Sequence, residues 1–238
     1  MSGGKGASSV ARLGGTALNL LFPYWCLGCG REGDLICPSC RGTLPRITPP
    51  ICPRCGLPQP SGILCPACCR RRYEIDGIRS PFRFEAVIRQ AVLQLKYKNL
   101  RALAVPLAGL LSDYLAANHV PGEVVVPVPL HRKRTRERGY NQSQLLCREL
   151  GRLLELPVVT DCLIRRRHTP PQTGTATVSE RRSNVADAFT CRNSSLQNKQ
   201  VMLIDDVTTS GATLNACAAA LKESGASSVW GLTLAREA

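Results

Sequence analysis

The chain has 238 residues, 44% of them apolar, with a formal net charge of +14 and only 4 Phe, 2 Trp and 5 Tyr. That content supports a packed core and excludes wholesale disorder. No run approaches the roughly 20 apolar residues of a membrane-spanning helix. The uncompensated positive charge favours an anionic partner, whether nucleic acid, nucleotide phosphates or an acidic protein surface.

Residues 1–22 open as a Ser/Gly-rich tail. Val10 to Phe22 is mildly apolar, but two glycines and an Arg interrupt it and it runs into Pro23. We read it as a short helix, not a signal peptide. Residues 23–72 are Cys, Pro, Gly and Arg with few aliphatics. Such a segment cannot build its own core and needs a staple.

The cysteines supply one. Of 13 in the chain, nine lie between Cys26 and Cys69. Eight of those form Cys-x-x-Cys pairs: Cys26 with Cys29, Cys37 with Cys40, Cys52 with Cys55, and Cys65 with Cys68. Each pair reads as a knuckle, and two knuckles provide four thiolates for a tetrahedral Zn²⁺. Taken in order they predict two structural zinc sites, although spacing leaves pairing across the tetrads open. The odd total argues against a disulfide scaffold and for a reducing, cytoplasmic setting. Cys69 is a spare. Cys147, Cys162, Cys191 and Cys217 stand in apolar contexts and read as small core residues. Arg70-Arg71-Arg72 reads equally as a nucleic-acid contact or a basic linker.

From residue 73 to 238 the pattern changes to alternating strands and helices. Ile75 to Phe84 predicts a strand or hairpin. Val87, Ala91, Val92 and Leu95 have helical spacing over Ala86 to Tyr97, and Leu103 to Ala117 predicts a second amphipathic helix. Val124 to Val128 is a buried parallel strand by its unbroken apolar run. Asn141 is an N-cap for a helix to about Leu154. Pro157 to Leu163 predicts a short strand, and residues 165–184 a long exposed loop of the kind that usually carries function. Val201 to Ile204 is a second buried strand, Ala212 to Glu223 a helix stopped by Gly225, and Ser228 to Ala235 a last strand. The fold class is therefore α/β with a mostly parallel sheet flanked by helices.

The most informative segment is Asp205-Asp206-Val207-Thr208-Thr209-Ser210-Gly211-Ala212-Thr213. A loop of hydroxyl residues and glycine between a buried strand and a helix N-terminus offers backbone N–H groups to a phosphate. Two carboxylates just before it can accept from ribose hydroxyls and bind metal-coordinated water. The Gly-Lys-Ser/Thr ending of a Walker loop is absent.

This segment resembles the phosphoribosyl-pyrophosphate (PRPP) signature of type I phosphoribosyltransferases. With three further features it is similar in particular to the ComF family of competence proteins. These are Val126-Pro127-Val128-Pro129-Leu130-His131 through Arg138-Gly139-Tyr140-Asn141-Gln142, the run Arg167 to Gln172 leading to Glu180 through Val185, and the cysteine module. The resemblance implies a type I phosphoribosyltransferase-like domain at 73–238 behind a double zinc ribbon at 23–72. It implies PRPP binding by residues 205–213, with Asp205 and Asp206 as the catalytic acids, and Mg²⁺ accompanying PRPP. It further implies pyrophosphate contact by the rim His131, Arg132, Lys133 and Arg134, and a closing loop carrying Thr169, Gln172, Arg181 and Asn184. A solvated or nucleic-acid-binding charge run is the competing reading of 131–138. The implied function is phosphoribosyl transfer to an acceptor that no residue announces. It serves competence-related handling of single-stranded DNA, with a helicase as possible partner. The alternative is a non-catalytic PRPP sensor or DNA/helicase adaptor.

Overall fold

The computed structural model describes residues 23–70, 72–166, 188–192 and 195–237. The short helix expected within 10–22 lies outside them. The chain divides into two compact units, Met1–Leu44 and Pro45–Ala238.

In the smaller unit, β1 (Tyr24–Trp25) and β2 (Glu32–Gly33) form an antiparallel ladder, followed by the short helix α1 (Pro38–Gly42). Its turns are tied by Gly30 N–H to the Cys26 carbonyl and by Cys26 N–H to the Arg31 carbonyl, both at 2.8 Å.

The larger unit begins with a Cys-rich stretch ending in α2 (Pro66–Cys69), then β3 (Gly77–Arg79) and β4 (Phe82–Arg83). Helix α3 (Ala86–Tyr97) buries Ile88, Ala91, Val92 and Leu95; three of these belong to the stripe read from the spacing, but Ile88 takes the place expected for Val87, which is only partly buried. A 3₁₀ turn (Arg101–Leu103) leads into α4 (Ala104–Ala117). Strand β5 (Val124–Pro127) is buried throughout. Helices α5 (Arg132–Arg138) and α6 (Gln142–Leu154) follow, separated by Gly139 in the left-handed conformation at φ 79°. The sequence pattern did not predict α5, because a run of charges with no apolar stripe has no helical period to read.

Strands β6 (Leu163–Arg165) and β7 (Phe189–Cys191) pair antiparallel. The strand expected over Pro157 to Leu163 is thus displaced. Only Val158 bridges Val125, in parallel, and the ladder proper begins at Leu163 because its partner is β7.

Strand β8 (Gln200–Thr208), helix α7 (Ala212–Glu223) and β9 (Ser228–Arg236) complete the chain. The sheet runs β3–β9–β8–β5 with every pairing parallel, and β4 also joins β9. The expected α/β architecture is therefore present. Its apolar centre includes Ile75, Ile78, Val126, Leu203, Leu214 and Val229. Among the described residues no helix is long and apolar enough to cross a membrane.

Strand β8 extends four residues past Ile204, where the sequence pattern ended it. Strand β9 is equally long and pairs with it through Thr208–Arg236, so the ladder continues under polar side chains. Asp205, Asp206, Val207 and Thr208 are strand residues, not loop residues.

Helix α6 approaches the sheet closely at Gly151, where an added Cβ would lie 2.3 Å from Val158 Cγ2 and 3.0 Å from the Leu156 carbonyl oxygen. Alanine improves intrinsic helix propensity by up to about 1 kcal/mol. Overpacking against a branched side chain and backbone costs about 1–3 kcal/mol. We expect Gly151→Ala to lower the urea midpoint at unchanged slope, and an unchanged or raised midpoint would refute this packing account.

Candidate functional site

Strand β8 lies between β5 and β9, and the connections leave these neighbours in opposite directions. The chain after β5 returns to the sheet at Val158 on the far side, whereas the chain after β8 crosses to β9. The carboxyl ends of β5 and β8 therefore flank a topological switch point, where ligands of open α/β sheets bind. The register places Pro127 beside Ile204, and Val128 N–H donates to the Ile204 carbonyl at 2.9 Å. The chain leaving β5 enters the 131–134 rim directly beside Asp205.

Successive strand residues face opposite sides of a sheet, and the two acids accordingly have different partners. Asp205 Oδ1 accepts from Ser143 Oγ on α6 at 2.9 Å and from the Asp206 backbone N–H at 2.9 Å. Burial, and next the neighbouring Asp206 charge, raise the Asp205 pKa from its ordinary 3.8 to about 7. Asp206, only 2% exposed, receives Lys96 Nζ from α3 at 2.7 Å. Burial opposes the ammonium charge, but the Asp206 carboxylate outweighs it and the Lys96 pKa is raised. Asp206 Oδ2 is buried and has no hydrogen-bond partner among the described residues. A buried, unpaired carboxylate oxygen carries a large desolvation penalty. It therefore suits an oxygen-ligated cation or its water, so the acid pair fits the divalent metal that the fold implies.

The segment after Thr208 turns into α7. Gly211 caps the helix at φ 75°, Ser210 Oγ accepts from Ala212 N–H at 3.4 Å, and Thr209 is exposed while Thr208 is buried. Thr213 lies in the first turn of α7. Residues 209–211 thus form the turn at the sheet's carboxyl edge between the end of β8 at Thr208 and the first residues of α7. His131 caps α5, its Nδ1 accepting from Lys133 N–H at 3.2 Å. A cavity of about 500 Å³ is lined in part by Lys96, Tyr97, Arg134, Glu137, Arg138 and Tyr140. A second, of about 300 Å³, lies between the rim, from Pro129 to Arg132, and β6. Arg134 and Lys96 bring the rim and the acid pair to one cationic hollow. Thr169, Gln172, Arg181 and Asn184 lie outside the described residues.

Two contributors, Lys96 and Ser143, were not singled out from the sequence. Lys96 is the polar residue beside the buried stripe of α3. Asn141, the N-cap that the sequence predicts, caps α6 through Oδ1 to Ser143 N–H at 3.0 Å and also donates from Nδ2 to the Val128 carbonyl at 2.9 Å. It thereby ties the rim to the helix that supports Asp205. Ser143 gives no local signal of its role, since only the fold brings it to Asp205.

The cysteines gather as two tetrads, Cys26/Cys29/Cys37/Cys40 and Cys52/Cys55/Cys65/Cys68, with all sulfurs of each within 4.8 Å of one another. Among the described residues the sequential grouping is the one adopted. Sulfur separations of 3.6 Å (Cys29–Cys37) and 3.8 Å (Cys55–Cys65) match the edge of about 3.8 Å that a tetrahedron with Zn–S near 2.3 Å requires. Corresponding N–H groups point at the first sulfur of each tetrad: Cys37 to Cys26 and Cys65 to Cys52, both at 3.4 Å. Burial disfavours the thiolate at both positions. Backbone N–H groups overcome this and lower Cys26 and Cys52 to about 6. The clusters fit two structural zinc sites. They differ in access: Cys29 is exposed, whereas all four members of the second tetrad are buried. Cys147, Cys162 and Cys217 are core residues, as expected.

Residues 102–237 match the phosphoribosyl transferase domain family, and residues 17–69 match the double zinc ribbon domain family. Competence protein ComFC of Bacillus subtilis is 31% identical over 87% of this chain and 86% of its own length. Competence protein F of Haemophilus influenzae is 30% identical over 90% of this chain and 98% of its own. DNA utilization protein YhgH of Escherichia coli K12 is 30% identical over 82% and 87%. Among solved structures, glutamine PRPP amidotransferase from B. subtilis aligns with a TM-score of 0.38 at 17% identity, covering 55% of this chain and 26% of that one.

Two outcomes follow from this geometry. Removing one partner of a buried ion pair costs about 3–5 kcal/mol. We expect Lys96→Met to destabilise the fold by about 3 kcal/mol in urea denaturation, with part recovered in Lys96→Met/Asp206→Asn, and equal losses in both would contradict the pairing. Because folding raises the Asp205 pKa, the folded state holds the extra proton between 3.8 and about 7. That contribution to stability is complete below 3.8 and is lost as pH rises through about 7. Asp205→Asn should flatten this decline, read as unfolding free energy against pH.

Proposed function

Since the chain belongs to the ComF family of phosphoribosyltransferase-domain proteins, we propose that it binds PRPP with Mg²⁺ at the carboxyl edge of β8. The observation that carries this reading is the buried, partnerless Oδ2 of Asp206 between a raised acid and a hydroxyl-rich turn. Residues 207–213 hold the 5′-phosphate through their backbone N–H groups and the hydroxyls of Thr208, Thr209, Ser210 and Thr213. Asp205 and Asp206 accept from the ribose hydroxyls. When bound, Mg²⁺ supplies charge neutralisation to the pyrophosphate. His131, Arg132, Lys133 and Arg134 meet the same group from the rim, and Lys96 and Arg134 carry positive charge on its side of the acids.

In the catalytic reading, the bond from the anomeric carbon to pyrophosphate breaks as an acceptor's lone pair forms the new one. The sugar has oxocarbenium character in between, and the pyrophosphate leaves with its bonding pair. Asp205 gives up its proton on binding and presents a carboxylate to the developing positive charge. We place this reaction in the handling of single-stranded DNA in the cytoplasm; what supports that reading is that relatives carry the names competence protein and DNA utilization protein.

A second reading, a DNA- or helicase-binding adaptor without turnover, is favoured by α5. Its sequence Arg-Lys-Arg-Thr-Arg-Glu-Arg exposes Arg132, Lys133 and Arg136. Phosphate contacts of this kind weaken steeply with salt.

Calorimetric titration of PRPP with Mg²⁺ decides between them. Loss of a charged hydrogen bond costs about 1.5–3 kcal/mol, so Asp206→Asn should weaken binding by about tenfold to a hundredfold. Wild-type protein that takes up no PRPP but binds single-stranded DNA in a salt-dependent manner would favour the adaptor.

A further inference from the structure

The second cysteine tetrad and the phosphate turn meet at Arg236, the last residue of β9. Its side chain is buried in a residue only 3% exposed. Nη1 donates to the Thr209 carbonyl at 2.8 Å, and Nη2 donates to the Cys55 carbonyl. Nε has no partner among the described residues. One guanidinium therefore joins the backbone of the turn to the backbone of a cysteine knuckle that lies 181 residues before Arg236 in sequence.

A parallel route runs through Ile78 on β3. Ile78 N–H donates to the Arg54 carbonyl at 2.7 Å, and Arg79 Nη1 donates to the Pro53 carbonyl at 2.9 Å. Gly56 packs so tightly that an added Cβ would lie 2.6 Å from the Ile78 carbonyl oxygen. The other end of Ile78 reaches the turn, with Cδ1 2.7 Å from a Cβ built on Gly211. The knuckle Cys52–Gly56 is thus seated on the strand ends that carry the phosphate turn.

Peptide geometry makes this consequential. A trans peptide holds its C=O and N–H on opposite sides. With the Thr209 carbonyl drawn inward to Arg236, the Ser210 N–H of the same peptide faces away from it, toward the phosphate cradle. With zinc bound at the tetrad, coordination of its own sulfur would in turn fix the Cys55 carbonyl. Among the described residues the partly buried apolar side chains packed against the second tetrad are Leu57 and Tyr73, so a bound zinc would supply much of what holds its shape. A zinc tetrathiolate is also a net anion, which compensates the charge of the buried guanidinium.

We propose that Arg236 is a positioning residue that makes phosphate binding at 207–213 conditional on zinc at Cys52/Cys55/Cys65/Cys68. This rests on the PRPP reading above for the identity of the ligand, but not for the mechanical link. Linkage makes the effect reciprocal: PRPP retains the second zinc as that zinc retains PRPP.

The test uses the zinc-loaded protein and the variants Arg236→Met and Arg236→Lys. Hydrogen exchange is followed in peptides spanning 52–56 and 207–213. Zinc release to a chromogenic chelator is measured with and without PRPP and Mg²⁺. Two release phases are expected, the slower belonging to the buried tetrad. PRPP should slow that phase in the wild type and not in Arg236→Met. With both zincs still bound, Arg236→Met should exchange faster in both peptides and bind PRPP about tenfold more weakly, and Arg236→Lys should recover part of each. Unchanged exchange at 207–213 in Arg236→Met, or equal protection of zinc by PRPP in wild type and variant, would overturn the proposal. If Arg236→Met does not fold, Arg236→Lys decides alone, because it keeps the charge and loses the two-pronged donor. If the wild type binds no PRPP, the PRPP reading fails and the exchange data still decide the link.

Discussion

Two adjacent carboxylates near the end of a central strand, where its pairing with β5 has stopped and that with β9 continues, set the terms for the rest of this molecule. Burying charge costs free energy that only partners can offset. Asp206 takes its partner from α3 as Lys96, and Asp205 takes a weaker one from α6 as Ser143. The compensation is incomplete, since one oxygen of Asp206 stays unmet among the described residues and Asp205 holds its proton to about pH 7. Incomplete satisfaction at the carboxyl edge of an α/β sheet is where a ligand gains most, because the dry environment strengthens each contact it makes. Lys96, Asn141 and Ser143 all lie outside the strand and turn, yet they fix how its polar groups are presented.

The cysteine-rich segment solves a different problem. It lacks the aliphatic residues to fold by burial, and coordination replaces the missing core. The two tetrads share one local design, an N–H directed at the first sulfur from the third cysteine of each set. They are not equivalent. The first belongs to the smaller compact unit and has an exposed sulfur-bearing residue. The second is buried within the larger unit, shares a backbone hydrogen bond with β3 and receives one from the Arg236 guanidinium of β9. A metal site incorporated in this way serves as part of the sheet's framework.

Positive charge concentrates around the acid pair in a chain that carries +14. Lys96, Arg134 and Arg138 line one hollow, and α5 adds an exposed basic face beside it. Attraction of a polyanion and retention of a pyrophosphate draw on the same charges, so the enzymatic and DNA-binding readings share a surface.

The sequence by itself determined the α/β class, the helices from Ala86 and Gln142, the two cysteine tetrads and the acid–hydroxyl turn. Each of these is encoded locally: by helical spacing, by Cys-x-x-Cys pairs, or by an apolar run ending in Asp-Asp-Val-Thr-Thr-Ser-Gly. The tertiary structure alone decided where β8 ends, because β9 continues the ladder to Thr208. It also decided that 132–138 is a helix, that Lys96 and Ser143 serve the acids, and that Arg236 spans from the turn to a zinc knuckle. The placing of the acids' partners and of Arg236 depends on contacts between residues far apart in the chain, such as Ser143 with Asp205, 62 positions apart, and Arg236 with Cys55, 181 positions apart. Local periodicity carries no information about such pairs, because a buried polar residue is placed by the partner that offsets its desolvation, and that partner is chosen by the fold.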